Sequence, residues 1–239
     1  SEVTSDYHHQ ADTHLNNFVV LNYFSDDFNF SFMSQDMYEL GPHTHSYKVP
    51  VQMEIDWRLM KFNNGFDIDL KTQYSLFSHD EFDVEKVVRW HTEPRLNYQY
   101  YSPAFQFESS ASYLATYYQQ SFVDKASTQT VERGVFKYRL LTGLSFERET
   151  QYFNQNVRQT LEPKVLYLYV QDSDQSDIGL YDSQLLKEDY FALFRDNTYS
   201  SIDRIEALNQ ATVGVSTSIF NNKNKELLQF GIGQVHKFD

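Results

Sequence analysis

The residues that could carry covalent or metal chemistry are poorly placed for it in this chain. Cysteine is absent, which excludes thiol nucleophiles, thiolate zinc sites and any internal disulfide. His43-x-His45 is the one close histidine pair in a predicted loop, and it falls short of the three or four ligands of a metal site. His8-His9 sits near a predicted strand start, where neighbouring side chains point to opposite faces. No Gly-x-Ser-x-Gly elbow, phosphate-cradling loop or His-Glu-x-x-His occurs. Gly231-x-Gly233 lacks a third glycine and falls in a strand rhythm, so it reads as close packing or a bend. Acidic pairs such as Asp26-Asp27 fall in turns, where Asp is favoured for backbone reasons. The expectation is no enzyme, no cofactor and no metal.

What remains is charge. Arg58, Lys71, Arg89, Arg95, Lys137, Arg139 and Lys164 are the cations that strands would present together on one polar face. They could hold an anionic group, or simply pair with Glu and Asp on the same face. The elements that must position them show as period-two alternation. From Lys48 to Met60, Val49, Val51, Met53, Ile55, Trp57 and Leu59 share one face, while Lys48, Pro50, Gln52, Glu54, Asp56 and Arg58 share the other. Side chains alternate across a strand, so one face is apolar and the other polar. The pattern recurs around 66–76, 89–100, 135–146, 160–169 and 212–219, and more weakly at 7–24, 28–39, 104–118 and 226–238. That makes about ten strands, of roughly the ~9–11 residues a tilted membrane strand needs.

Connections alternate in length. Short polar ones fall near Ser25–Asp27, Lys61–Gly65, Ser102–Pro103 and Asn221–Lys225. Longer ones fall at 40–47, 79–86, 119–133 and 171–208, with 149–156 of middling length in a short slot. Outer-membrane barrels have this asymmetry of tight periplasmic turns and long outer loops. On that rule the first strand runs toward the periplasm.

The 171–208 segment has no strand rhythm, and a loop of that length is usually functional or disordered. Leu185, Leu186, Tyr190, Phe191, Leu193, Phe194 and Tyr199 can anchor it, and Leu185 to Phe194 reads as a short helix. Arg195-Asp196 and Asp203-Arg204 suit a folded polar loop, packed into or over a barrel mouth. One echo links two strands: Arg89-x-x-x-Glu93-Pro94-Arg95 before Tyr98-x-Tyr100, and Arg158-x-x-x-Glu162-Pro163-Lys164 before Tyr167-x-Tyr169. These strands run in opposite directions, so a simple duplication does not explain it.

Composition fits a barrel wall. Aromatics make up 17%, with only 8 Gly and 5 Pro. Mean hydropathy is −0.58, and no apolar run approaches the ~18 residues of a membrane helix. A net charge of −13 repels phosphate backbones, so nucleic acid is not an expected partner. Ser1 to Gln10 is polar, without the apolar core of a signal peptide; a secreted chain would have to begin upstream of this piece.

The ordered run Gln159-Thr-Leu-Glu-Pro-Lys-Val-Leu-Tyr-Leu-Tyr169, Asp174-Gln175-Ser176-Asp177, Tyr181-Asp-Ser183, Asp189-Tyr190, Leu193-Phe-Arg195-Asp196, Asp203-Arg204-Ile205 and Asn209-Gln210 resembles the LptD family of LPS-assembly proteins. Leu114-Ala-Thr-x-Tyr-Gln-Gln120 is similar to it as well. The resemblance implies an all-β, antiparallel transmembrane barrel of about 26 strands, of which residues 1–239 would be a middle part. It implies the outer membrane of a Gram-negative bacterium and insertion of lipopolysaccharide into the outer leaflet. Implied partners are lipopolysaccharide, an LptE-like lipoprotein plug, periplasmic bridge proteins acting through an N-terminal domain outside this chain, and outer-membrane lipid. An arc of this size alone would leave two unpaired edges in the membrane, so a piece of a larger barrel is expected. A general or substrate-specific porin shares every strand feature and differs only in the 159–220 run. A soluble β-sandwich and a barrel hydrolase are the remaining readings; the second lacks a candidate dyad.

Overall fold

The alternating segments fold as strands. The computed structural model describes residues 14–39, 47–79, 84–123, 127–152, 155–187 and 189–238. Its strands are β1 (His14–Phe24), β2 (Phe28–Glu39), β3 (Lys48–Lys61), β4 (Phe66–Ser78), β5 (Val84–Tyr101), β6 (Phe105–Phe122), β7 (Ser127–Leu144), β8 (Phe146–Tyr152), β9 (Gln155–Val170), β10 (Leu208–Asn221) and β11 (Glu226–Lys237). They form one antiparallel sheet, open at β1 and β11, in chain order except that β7 pairs with β9 and β8 with the rest of β9. Gly143 opposite Lys164 and Phe146 opposite Leu161 keep one register. So β7 and β8 are a single line interrupted at Ser145, and the sheet is ten positions wide, as the sequence rhythm implies. His43-x-His45, His8-His9 and the first half of the 7–24 segment lie outside the described residues.

Two expected connections are strand instead. The sequence rhythm predicts a loop at 119–133, but β6 runs to Phe122 and β7 starts at Ser127. Residues 149–152 belong to β8, and 155–156 open β9. Gln119–Ser121, Thr128–Thr130 and Glu149–Gln151 are polar on both faces, so the apolar alternation that marks a strand falls silent there although the ladder continues. β5, β6 and β7 are 18 residues each, well beyond the ~9–11 that cross a bilayer. Their extra length needs no apolar side.

One face of the sheet exposes Trp57, Trp90, Leu96, Tyr100, Tyr113, Phe136, Leu161, Val165, Tyr169, Val213, Phe230 and Ile232, as a lipid-facing wall requires. Aromatics gather at two levels on it. Phe66, Tyr98 and Phe107 cluster near the short turns; Tyr74 with Trp90 and Phe136 with Tyr169 cluster toward the long connections. The two Glu-Pro echoes thus place their tyrosines at opposite ends, because β5 and β9 run in opposite directions.

Val49 departs from its expected face. The β3–β4 register slips between Lys48 and Val51, where Pro50 has no N–H to give to the ladder. A one-residue slip turns a side chain over. Val49 is therefore 4% exposed within a cluster on the other face, beside Tyr47, Phe77, Val87, Tyr118, Ile178 and Tyr181. At the β3–β4 turn, Gly65 takes φ 89° and accepts from Gln99 N at 2.9 Å. A Cβ there would meet Gln99 O at 2.5 Å, so only glycine suits it.

Candidate functional site at the docked loop

Leaving β9 at Val170 and returning at Leu208, the long connection lies against the polar face of β4–β7. The wall is prepared for it. Phe77, Val87, Tyr118, Val135 and Leu168 break the alternation on this face and are nearly inaccessible. Loop residues Ile178 and Tyr181 join one cluster with Phe77, Val87 and Tyr118; Ile205 joins another with Leu114, Val135, Leu168 and Val170. Tyr181 stacks on Phe77 at 5.5 Å between centroids and meets Tyr47 edge-on at 5.1 Å. Full burial of a side chain such as Ile178 is worth roughly 1.5–3 kcal/mol.

An ionic centre fixes the loop between these clusters. Arg89, wholly buried, projects from β5. Its Nη1 donates to Asp182 Oδ1 at 2.8 Å and Asp203 Oδ1 at 2.7 Å, and its Nη2 to Asp182 Oδ2 at 2.6 Å and Gln73 Oε1 at 2.9 Å. The guanidinium lies 4.7 Å from the Phe77 ring centre. Asp203 Oδ2 accepts from the backbone N–H groups of Tyr181 (2.8 Å) and Asp182 (3.0 Å), and Tyr118 Oη donates to its Oδ1 at 3.1 Å. Arg133 from β7 donates to Gln175 Oε1 at 2.8 Å, to the Asp203 carbonyl at 3.0 Å and to the Ile202 carbonyl. Gln175 closes the frame: its Nε2 donates to Ile205 O (2.8 Å) and its Oε1 accepts from Ile205 N (2.9 Å). One arginine thus pins both limbs of the loop.

Two arginines and two aspartates balance to zero. That balance matters, since an unpaired charge cannot be left in such a place. Burial alone would raise the Asp182 carboxyl, but the hydrogen bonds and charge of Arg89 outweigh it and hold it below the usual carboxylate range. Asp203 goes the other way: burial pushes it up, Arg89 pulls it back, and the neighbouring Asp182 charge adds to the rise. The donors aimed at Asp203 suit its ionised form, so Arg89 faces two carboxylates in neutral solution.

The rest of the loop is a finger. Its neck is closed by Ser200 N donating to Gln184 O (2.9 Å), Leu186 N to Thr198 O (3.0 Å) and a bridge between Leu185 and Tyr199. The helix expected from Leu185 to Phe194 is only a 3-10 turn at Phe191–Phe194. Asp189 Oδ1 accepts from Ala192 N at 2.6 Å, and Leu185 and Leu186 are paired across the neck. Isolated helices this short are marginal in any case. At the tip, Tyr190, Leu193 and Phe194 lie directly on Gly231, Gly233 and Gly214, where a Cβ would come within 2.8–2.9 Å of their side chains. Gly231 and Gly233 therefore mark close packing, one of the two readings the sequence offers, and Gly214 on β10 packs in the same way.

Each predicted cation has an acidic partner. Arg58 is 3.7 Å from Asp27, Lys71 3.1 Å from Glu54, Arg95 2.8 Å from Glu93, and Lys164 3.2 Å from Glu162. Lys137 lies 3.8 Å from both Glu93 and Asp196. Arg139 lies 2.8 Å from both Glu108 and Asp196. Arg58, Lys71 and Arg95 also line a common depression of about 280 Å³ near the short turns. Among the loop residues, Asp174 accepts from Ser176 N (3.0 Å) in an exposed turn. Asp177 offers its carbonyl to Gln120 (2.9 Å). Arg195 is tied within the finger to Asp189 (3.4 Å) and Lys187 O (2.9 Å), and Arg204 donates to Gln175 O (2.9 Å). Asp182, Tyr118 and Arg133 were missing from the expected site. Arg133 falls in the stretch where the sequence predicts a loop, and Asp182 falls within the motif, where nothing in the sequence sets it apart from its neighbours.

An antiparallel sheet with an aromatic, exposed outer face and a polar face carrying an inward-packed loop defines the wall of an outer-membrane β-barrel. The family described as "LptD: LPS transport system D" matches residues 1–239. The chain is 36% identical over 237 residues to the LPS-assembly protein LptD of Shewanella frigidimarina, covering 98% of this chain and 31% of that protein. It is 37% identical over 238 residues to that of Pseudoalteromonas translucida (98% and 32%), and 35% identical over 235 residues to that of Idiomarina loihiensis (98% and 31%). The chain belongs to the LptD family of Gram-negative outer-membrane barrel proteins, and it spans about a third of the length of these relatives.

Proposed function

We propose that this chain forms part of the wall of an outer-membrane translocon that inserts lipopolysaccharide into the outer leaflet, and that its docked loop covers the inner wall near the outer mouth. The supporting observation is the neutral, buried Arg89–Asp182–Asp203–Arg133 centre. A charged cluster of this kind is costly to build, and here it holds a long loop against the face that would line the lumen. On this reading the cargo is lipopolysaccharide, as membership of the LptD family supports, and the proposed partners are a lipoprotein plug within the barrel and periplasmic bridge proteins reached through a domain outside this chain.

The polar inner face would carry the anionic head of lipopolysaccharide while its acyl tails leave sideways into lipid. Affinity purification of the full-length parent from detergent-solubilised outer membranes tests this. A small lipoprotein recovered at one-to-one stoichiometry with bound lipopolysaccharide is expected. A lone barrel with neither companion, and with steady ion conductance, would move the reading to a porin.

A further inference from the structure

Asp196 occupies an unusual position on the finger. Its Oδ1 is 2.8 Å from Arg139 Nε, and its Oδ2 is 3.8 Å from Lys137 Nζ. Glu93 and Glu108 also face these cations, but both are fixed in strands. Asp196 alone of the three rides on a segment that, among the described residues, rests on the wall near its tip through Tyr190, Leu193 and Phe194 packed against glycines. The Arg89 centre offers no such exchange, since Asp203 is bound by backbone N–H groups as well and is wholly buried. Asp196 stays about one-third exposed.

A carboxylate laid across two cations presents what a phosphate would present: paired oxygens accepting from a guanidinium and an ammonium. A phosphate carries more charge and more acceptor oxygens, and arginine receives it in the same forked way. The surrounding wall is acidic and its cations are paired, so an incoming anion gains a site only where a carboxylate can withdraw. The finger makes that possible at one place.

We propose that Arg139 and Lys137 form a cradle for a phosphate group on the head of the translocated glycolipid, and that Asp196 fills this cradle as an internal stand-in, so that phosphate binding lifts the finger from the glycine floor. This rests on the lipopolysaccharide reading above and names the part of the substrate that the wall engages. The neck at Gln184 and Ser200 is the hinge, and the loop base stays anchored by Arg89.

The test uses the full-length parent with its copurifying partners in micelles, and glucosamine 1-phosphate as probe with uncharged glucosamine as control. Hydrogen exchange is followed in peptides spanning 172–182 and 184–200, and affinity is measured by calorimetry. The phosphate compound is expected to raise exchange across 184–200 several-fold and leave 172–182 unchanged, with no effect from glucosamine. Asp196→Asn is expected to loosen the finger without ligand and tighten phosphate binding several-fold. Arg139→Gln is expected to loosen the finger and lose the binding, and Lys137→Gln to repeat this more weakly if Arg139→Gln does not fold. The opposite signs at Asp196 and Arg139 separate a binding site from a structural ion pair. Equal loosening in both, with phosphate affinity unchanged, overturns the proposal. If the wild type inserts lipopolysaccharide into proteoliposomes while that null result holds, the translocation reading stands without this site. If the wild type inserts none, the translocation reading fails, and the choice of phosphate with it.

Discussion

At Arg89 the chain places a full charge where no water reaches it and meets it with two aspartates from opposite limbs of the loop. Removing one member of a buried ionic group leaves the others uncompensated, at about 3–5 kcal/mol, whereas replacing the group by well-packed apolar side chains is far milder. Arg89→Met should therefore release the loop, and Arg89→Met with Asp182→Leu and Asp203→Leu should recover part of the loss. A mutant cycle on detergent-solubilised parent protein, read by thermal unfolding of the barrel, checks this; additive effects would contradict it. Gly231 gives a second prediction. A Cβ there meets the Tyr190 ring at 2.9 Å, so Gly231→Val should displace the finger tip and leave the base in place. Trypsin should then cut after Lys187 or Arg195 faster than in the wild type, with no new cut after Arg204.

Among elements, the strands with one apolar face could be read directly from the sequence. Lys48–Lys61 and Phe66–Ser78 alternate because lipid and lumen demand opposite side chains. What escaped was strand outside the bilayer. Gln119 to Ser121 and Thr128 to Thr130 are polar on both faces, and only the ladder identifies them. Doubly apolar stretches carried an unread signal: Leu76-Phe77, Val87-Val88, Val135-Phe136 and Leu166 to Val170 mark where both faces are covered, one by lipid and one by the loop. The motif residues pointed to a folded loop, but not to its anchor, because Arg89 and Asp203 meet only in three dimensions. The finger is the most separable element. Its neck closes at 2.9 Å between Ser200 N and Gln184 O, so residues 185–199 can be replaced by a short glycine-serine link. Such a variant should assemble with normal barrel stability, yet leave cells several-fold more sensitive to a large antibiotic that the outer membrane excludes. Unchanged sensitivity would deny the finger any covering role.

For the whole molecule, the asymmetry of connections and the tall strands agree. An 18-residue strand at ~3.3 Å per residue and ~45° tilt rises roughly 40 Å, against an apolar band of ~25 Å. The excess falls at the end bearing the long connections, where the loop docks. Gln119→Cys should therefore react with a membrane-impermeant maleimide on intact cells, and Ser102→Cys only after lysis; the reverse pattern would invert the barrel. Residues 171–187 and 189–207 are held against the inner wall rather than solvated above it. Hydrogen exchange of the full-length parent at the Tyr181 and Asp182 amides, which donate to Asp203, measures this directly. Protection of at least a hundredfold, lost in Arg89→Gln, is predicted; exchange at the rate of a free peptide in the wild type would contradict it.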